Sequence, residues 1–227
     1  MGDIAGIARL NNNLGSSYRE KGDYARATEL CERALTTAEK IKHSNLICFA
    51  LDNLAHIRLL QGEFDLAFGY ASRCLETANR IKSKEHTAEA QWLIAEARLG
   101  QNQIELARTH AMDAESIAAS NGLRLIQGQA LRTLAKIARA EEQLDRASDY
   151  VQRSLTIFSE LENPFELART QYLLGLLLLD QGKLPIARVA LDSAMATFAR
   201  LGARGEDACA RAELTRLNLS SPEILSQ

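Results

Sequence analysis

Proline is scarce in this chain, three residues in 227, so few positions can break a helix. Aromatics are also few, at 5%. Alanine, leucine, arginine and glutamate dominate instead, residues that lose little side-chain freedom in a helix, and an all-α fold is expected. The four cysteines, Cys31, Cys48, Cys74 and Cys209, show no CxxC spacing and no grouping with the four scattered histidines. Neither a zinc site nor a redox pair is expected, and the thiols are read as small buried hydrophobes. No basic block is present, and 27 basic against 29 acidic residues leave a net charge of −2. Direct binding to nucleic acid is therefore not expected.

The longest apolar run, Leu173 to Leu179, is far short of a membrane span and reads as a helix buried on several sides. The start, Met1-Gly2-Asp3-Ile4-Ala5-Gly6, has neither a basic nor an apolar leader segment and lacks the Ser or Thr of a myristoylation signal, so the chain is expected in the cytoplasm. No glycine-rich phosphate loop, HExxH or GxSxG motif occurs. One pair remains geometrically open to acid–base chemistry: Asp52 and His56 lie one turn apart on one helix face, and a solvated pair is the better account. The chain is expected not to be an enzyme, with no cofactor.

What is present is repetition. Leu14-Gly15, Leu54-Ala55, Ile94-Ala95, Leu134-Ala135 and Leu174-Gly175 recur at one constant step, and Ala27, Ala67, Ala107, Ala147 and Ala187 follow in the same register. A third column, Tyr24, Phe64, Ile104, Leu144 and Leu184, follows the turn-like segments Lys21-Gly22-Asp23, Gln61-Gly62-Glu63, Gln101-Asn102-Gln103, Glu141-Glu142-Gln143 and Gln181-Gly182-Lys183. Glycine or asparagine suits the left-handed residue that ends a helix, and an acidic neighbour suits the positive start of the next. Each unit thus reads as helix A, tight turn, helix B. The stripe Tyr24, Ala27, Cys31, Ala34 and Thr37 or Ala38 gives helix B one small-residue face for close approach. Breaks between units fall near Lys42-His43-Ser44, Lys82-Ser83-Lys84, Asn121-Gly122, Asn163-Pro164 and Gly202-Ala203, with Asn163 as cap and Pro164 as first helical residue. The resulting boundaries are units at 4–43, 44–83, 84–123, 124–163 and 164–203, a C-terminal capping helix at 204–218 and a tail at 219–227.

The pattern Leu-Gly-x-x-Tyr, Gly-Asp-Tyr-x-x-Ala, x-x-x-Cys-x-x-Ala across Leu14 to Ala34 resembles the tetratricopeptide repeat consensus, over about nine tenths of the chain. It departs in its 40-residue period, against the usual 34, and in lacking the proline that often closes helix B. HEAT and armadillo repeats share the length but not this spacing. The lengthened form resembles the repeat arrays of bacterial signal-responsive regulators, which implies an α-α superhelix that docks a protein or peptide, or senses a small signal molecule or sugar.

In such a superhelix the A helices line the concave side. The resemblance then directs the ladder Asn12, Asp52, Trp92, Arg132 and Tyr172 into a solvent-facing groove, flanked one turn on by Ser16, His56, Glu96, Lys136 and Leu176, and one turn before by Arg9, Phe49, Glu89, Gln129 and Arg169. Trp92 and Arg132 are expected at its centre. The carboxylate clamp by which some relatives grip chaperone tails would fall on Asn12, Ser16, Asn53, Glu89 and Leu93, where its basic members are missing. With no helix ahead of the first unit to cap it, the chain is expected to be part of a longer protein or to be covered there by a second copy in a homodimer.

Overall fold

The structure is a computed structural model that describes residues 3–220. Met1, Gly2 and most of the expected tail, residues 221–227, lie outside the described residues. Eleven helices run α1 (Ile4–Glu20), α2 (Tyr24–Lys40), α3 (Ser44–Leu60), α4 (Phe64–Arg80), α5 (Lys84–Gly100), α6 (Ile104–Ser120), α7 (Arg124–Ala140), α8 (Leu144–Glu160), α9 (Pro164–Asp180), α10 (Leu184–Leu201) and α11 (Arg204–Ser220), with no strand among the described residues. Their starts are evenly spaced along the chain, so each repeat unit is two helices of nearly equal length. The fold is an all-α solenoid of five helix-turn-helix repeats closed by α11.

The turns explain that regularity. Each carries one residue of positive φ, at Gly22, Lys42, Gly62, Lys82, Asn102, Gly122, Glu142, Glu162, Gly182 and Gly202. The residue after it donates its N–H back into the last turn of the finished helix, as in Asp23 N to Tyr18 O at 3.0 Å and Gln143 N to Ala138 O at 2.9 Å, which satisfies a carbonyl the helix end would leave unpaired. Several following helices are then capped. Asp3, Asp23 and Asn163 accept hydrogen bonds from the amides of Gly6, Arg26 and Glu166, and Pro164 occupies the first position of α9. Glu63 makes no cap; it is drawn off by Arg58 at 2.8 Å.

Within a unit, helix A crosses helix B at the two small-residue columns. All five alanines of the second column are fully buried. In four of the five units, glycine or alanine at the first column of helix A matches what stands opposite. A Cβ added to Gly15 would lie 2.4 Å from the Cys31 sulfur, and one added to Gly175 would lie 2.6 Å from Leu191 Cγ. Where helix A carries Ala55 or Ala95 instead, the corresponding residue of helix B is Ala71 or Ala111, all of them buried. Size is thus traded between the helices in these units, as close packing favours; the fourth unit departs, pairing Ala135 with Val151, both buried.

Odd-numbered helices also pack on the next odd one, α1 on α3, α3 on α5, α5 on α7 and α7 on α9, whereas no even pair does so to a comparable extent among the described residues. The odd helices are therefore crowded on the inside of the curve and form the concave wall. Cys31, Cys48 and Cys74 are buried, as small hydrophobes would be; Cys209 is exposed. Cys209 lies on the side of α11 that faces the groove.

Candidate functional site

Along the concave wall, the ladder residues sit where successive A helices touch, and that contact decides their fate. Asn12, Asp52, Trp92 and Arg132 are buried, only 3 to 8% exposed, which corrects the expectation that they face solvent. Each is spent on the next helix. The Asn53 amide donates to Asn12 Oδ1 at 3.0 Å, and Asp52 pairs with His86 at 3.3 Å. Trp92 Nε1 donates to Thr133 Oγ1 at 3.0 Å. Arg132 pairs with Glu166 at 2.5 Å and lies over the Phe158 ring. Trp92 and Arg132 are thus supports of the groove's wall, although Arg132 still reaches its surface.

Ser16, His56, Glu96, Lys136 and Tyr172 are half-buried, less enclosed than the four above. His56 does not pair with Asp52; its ring stands edge-on to Trp92, centroids 4.8 Å apart. Asp52 has turned instead to the start of the next A helix, where His86 sits. Lys136 Nζ holds both Glu96 oxygens at 2.8 Å, and Thr133 donates to Glu96 at 2.5 Å.

The electrostatics follow from this wiring. Burial pushes the Glu96 carboxyl up, but the charge and hydrogen bond of Lys136, with Thr133, reverse this and hold it at about 2. Burial likewise opposes Glu166, and Arg132 and Arg169 hold it at about 2. Burial drives His56 well below its ordinary value, and Arg19, Arg169 and Arg132 drive it further, against Glu166. His56 is thus disfavoured as a cation chiefly by burial, with the nearby guanidiniums adding to it.

A cavity of about 480 Å³ opens on this wall. Arg132, Lys136, Arg139 and Arg169 line one side, with Tyr172, Leu173, Leu176 and Phe198 beside them; Tyr24 and Leu60 approach from the first two units and Gly205, Glu206 and Cys209 from α11. Stepping along the repeat reaches Arg132, Lys136, Arg169, Tyr172 and Leu176 from sequence. It does not reach Tyr24, Leu60, Arg139, Glu206 or Cys209, which come together only because the solenoid curves. Among the described residues no cluster of histidine, cysteine or carboxylate could hold a metal, and no helix is long and apolar enough to cross a membrane.

Paired 17-residue helices, small-residue crossings and a concave wall of A helices are what a tetratricopeptide array requires, and the tetratricopeptide repeat family model matches residues 6–67 and 46–120. The chain belongs to the tetratricopeptide repeat family. No curated protein matches it significantly. Among solved structures, this tetratricopeptide chain is similar to BtubC from P. vanneervenii, at 19% identity and TM-score 0.65, covering 87% of this chain and 82% of that one. It is similar to a Rap protein complexed with Competence and Sporulation Factor, at 16% identity and TM-score 0.70, covering 98% and 67%. It also resembles a signal transduction ATPase with numerous domains and a tetratricopeptide repeat sensor, from Pyrococcus horikoshii, at 14% identity and TM-score 0.64; the match covers 97% of this chain but only 38% of the other. At these identities the likeness is one of fold. Tetratricopeptide repeats are in general non-catalytic interaction modules, and a protein-interaction scaffold is the function this family supports.

Proposed function

We propose that this chain is a non-catalytic scaffold that docks a protein or peptide in its concave groove, as the docking or sensor module of a bacterial regulatory protein. The observation that carries this is the cavity, which joins aromatic and apolar side chains to basic ones on a rigid wall. A recognition surface needs that mixture, because apolar anchors supply affinity and charges supply selection. The wall residues are tied helix to helix by hydrogen bonds, so the surface is organised before a partner arrives. Similarity to a Rap protein complexed with a factor and to an ATPase carrying a repeat sensor agrees with a regulatory setting.

The test is capture from the native cell with the chain and with Arg169→Glu, which reverses charge at the cavity without removing a fully buried group. A partner retained by the first and lost by the second supports groove docking. Equal capture by both places the partner elsewhere and overturns it.

A second reading, a sensor for a small signal molecule or sugar, is favoured by the cavity's size, which falls within the range of small-ligand sites. A thermal-shift screen separates the two: a rise of several degrees with one metabolite, and no protein captured, would favour sensing.

A further inference from the structure

The cavity is built by both ends of the solenoid. Tyr24 begins α2 and Leu60 ends α3, whereas Phe198 lies in α10 and Glu206 in α11. Residues from the two ends of the array line one space, so the first unit and the capping helix face each other across the groove. Their charges are mutually felt: burial raises the Tyr24 hydroxyl and Glu206 raises it further, while Arg169 acts on both Tyr24 and Arg19.

The charges lining this space do not balance. Among the described residues four cations border it and one carboxylate, Glu206. Three of the cations have close partners: Arg132 with Glu166, Lys136 with Glu96, and Arg139 with Asp180. Arg169 meets the far side of Glu166 at 3.8 Å, a carboxylate that Arg132 already engages at 2.5 Å. Arg19 is held by Asn53 at 2.7 Å and Ser16 at 3.2 Å, both neutral, and reaches Glu20 only at 4.0 Å. Glu89, on the same wall, is held up at about 8 by burial and by Asp52, so it brings little negative charge near neutral pH.

We propose that this cavity seats a peptide segment in which a carboxylate stands beside a bulky apolar side chain, the carboxylate on Arg169 and the apolar group against Tyr172, Leu176 and Leu60, and that filling it fastens the first units to the capping helix. This rests on the reading that the groove docks a peptide. A carboxylate suits the guanidinium fork that Arg169 presents, and the apolar wall beside it supplies burial that a free anion would not use. The seat is separate from the chaperone-tail clamp positions, which carry no basic residue here. Because the two walls come from opposite ends of the array, the occupant bridges them, and its binding is coupled to how tightly the solenoid is closed.

The probes are three sets of capped hexapeptides alternating Leu, Phe or Tyr with Glu, with Gln or with Lys, read by thermal shift and by fluorescence of Trp92, the only tryptophan. The Glu set is expected to bind at least about tenfold more tightly than the Gln set, the size of one charge-assisted hydrogen bond, and to weaken as salt is raised. The advantage should vanish in Arg169→Gln and shrink in Arg19→Gln, with the unliganded melting temperature of each variant checked for folding. Hydrogen exchange with the Glu set should slow amides at the start of α2 and in α11 together. Equal binding of Glu and Gln sets, or an unchanged advantage in Arg169→Gln, overturns the carboxylate seat while leaving groove docking intact. Protection confined to one end overturns the bridging. A shift with none of the sets overturns the inference, and the capture experiment with Arg169→Glu then decides the groove reading by itself.

Discussion

The space a side chain at Gly175 would need is already filled by Leu191: a Cβ there would lie 2.6 Å from Leu191 Cγ. The two residues stand at the crossing of α9 and α10, and Leu191 is fully buried. Gly175→Ala is expected to lose about 1 to 3 kcal/mol through overpacking, and Leu191→Ala about 2 to 5 kcal/mol through the cavity it leaves. The double variant, which recreates the Ala55–Ala71 pair of the second unit, should recover part of the loss. Urea denaturation of the four proteins gives the coupling, expected between roughly 0.5 and 3 kcal/mol; additive losses would show that the pair does not share this space.

The turns make a second, independent prediction. Glu142 and Glu162 adopt positive φ, at 60° and 50°, where other turns use glycine. A left-handed non-glycine residue costs about 1 to 2 kcal/mol, partly offset by the extra freedom glycine has in the unfolded chain. Glu142→Gly should therefore raise the melting temperature by a few degrees. Gly62→Ala should lower it, although nothing lies within 4 Å of the added Cβ, because the strain is in the backbone.

Position within the array decides what a leucine is worth. Leu54 is fully buried, while Leu14, one unit earlier in the same column, is 42% exposed, with Ile7 and Leu10 exposed on the same helix. Leu54→Ala is expected to cost about 2 to 5 kcal/mol, and Leu14→Ala well under half of that. If the two cost the same, and sedimentation shows a concentration-dependent dimer that Leu10→Glu dissociates, a second copy covers this face in solution.

The repeat period, the small-residue crossings and the turn positions were legible because each is a local rule repeated five times. Asn163 with Pro164, or Lys21-Gly22-Asp23, states its conformation without help from the rest of the chain. The wall of the groove was not legible in the same way. Ladder positions such as Asp52 and Trp92 lie on A helices, but whether they meet water depends on how closely α3 approaches α5 and α5 approaches α7. Asp52 pairs with His86 on the next A helix rather than with His56 one turn along its own, whose ring stands against Trp92 instead. The cavity is less visible still, since Tyr24 and Glu206 meet only through small rotations accumulated over five units.

Acid should unfold the chain through two carboxylates. Glu96 and Glu166 titrate at about 2 when folded, against roughly 4.3 in an unfolded chain. Between those values the unfolded state binds more protons. The stabilisation is complete above about pH 5 and is lost as pH falls toward 2, roughly 3 kcal/mol for each group taken alone. Glu89, held at about 8, acts in the opposite direction: the folded state keeps a proton the unfolded one has released, so this group reduces stability as pH climbs from about 4.3 to 8. Melting temperature against pH should therefore pass through a maximum on the acid side of neutrality. Glu89→Gln should flatten the alkaline limb and leave the acid limb unchanged.

Arg132 distinguishes support from contact. It is 3% exposed and its partner Glu166 is 7% exposed, with Gln129 also donating to Glu166 at 3.3 Å. Arg132→Ala strands a buried carboxylate, which costs about 3 to 5 kcal/mol, so any binding it loses would follow from a damaged wall. Arg169 lies partly open to the groove, its side chain 26% exposed, and Arg169→Gln should cost under about 1 kcal/mol, in the range of exposed ion pairs. Chemical denaturation of both variants should show this asymmetry. Loss of ligand by Arg169→Gln at nearly unchanged stability would then be a statement about recognition, whereas the same loss by Arg132→Ala would be one about folding.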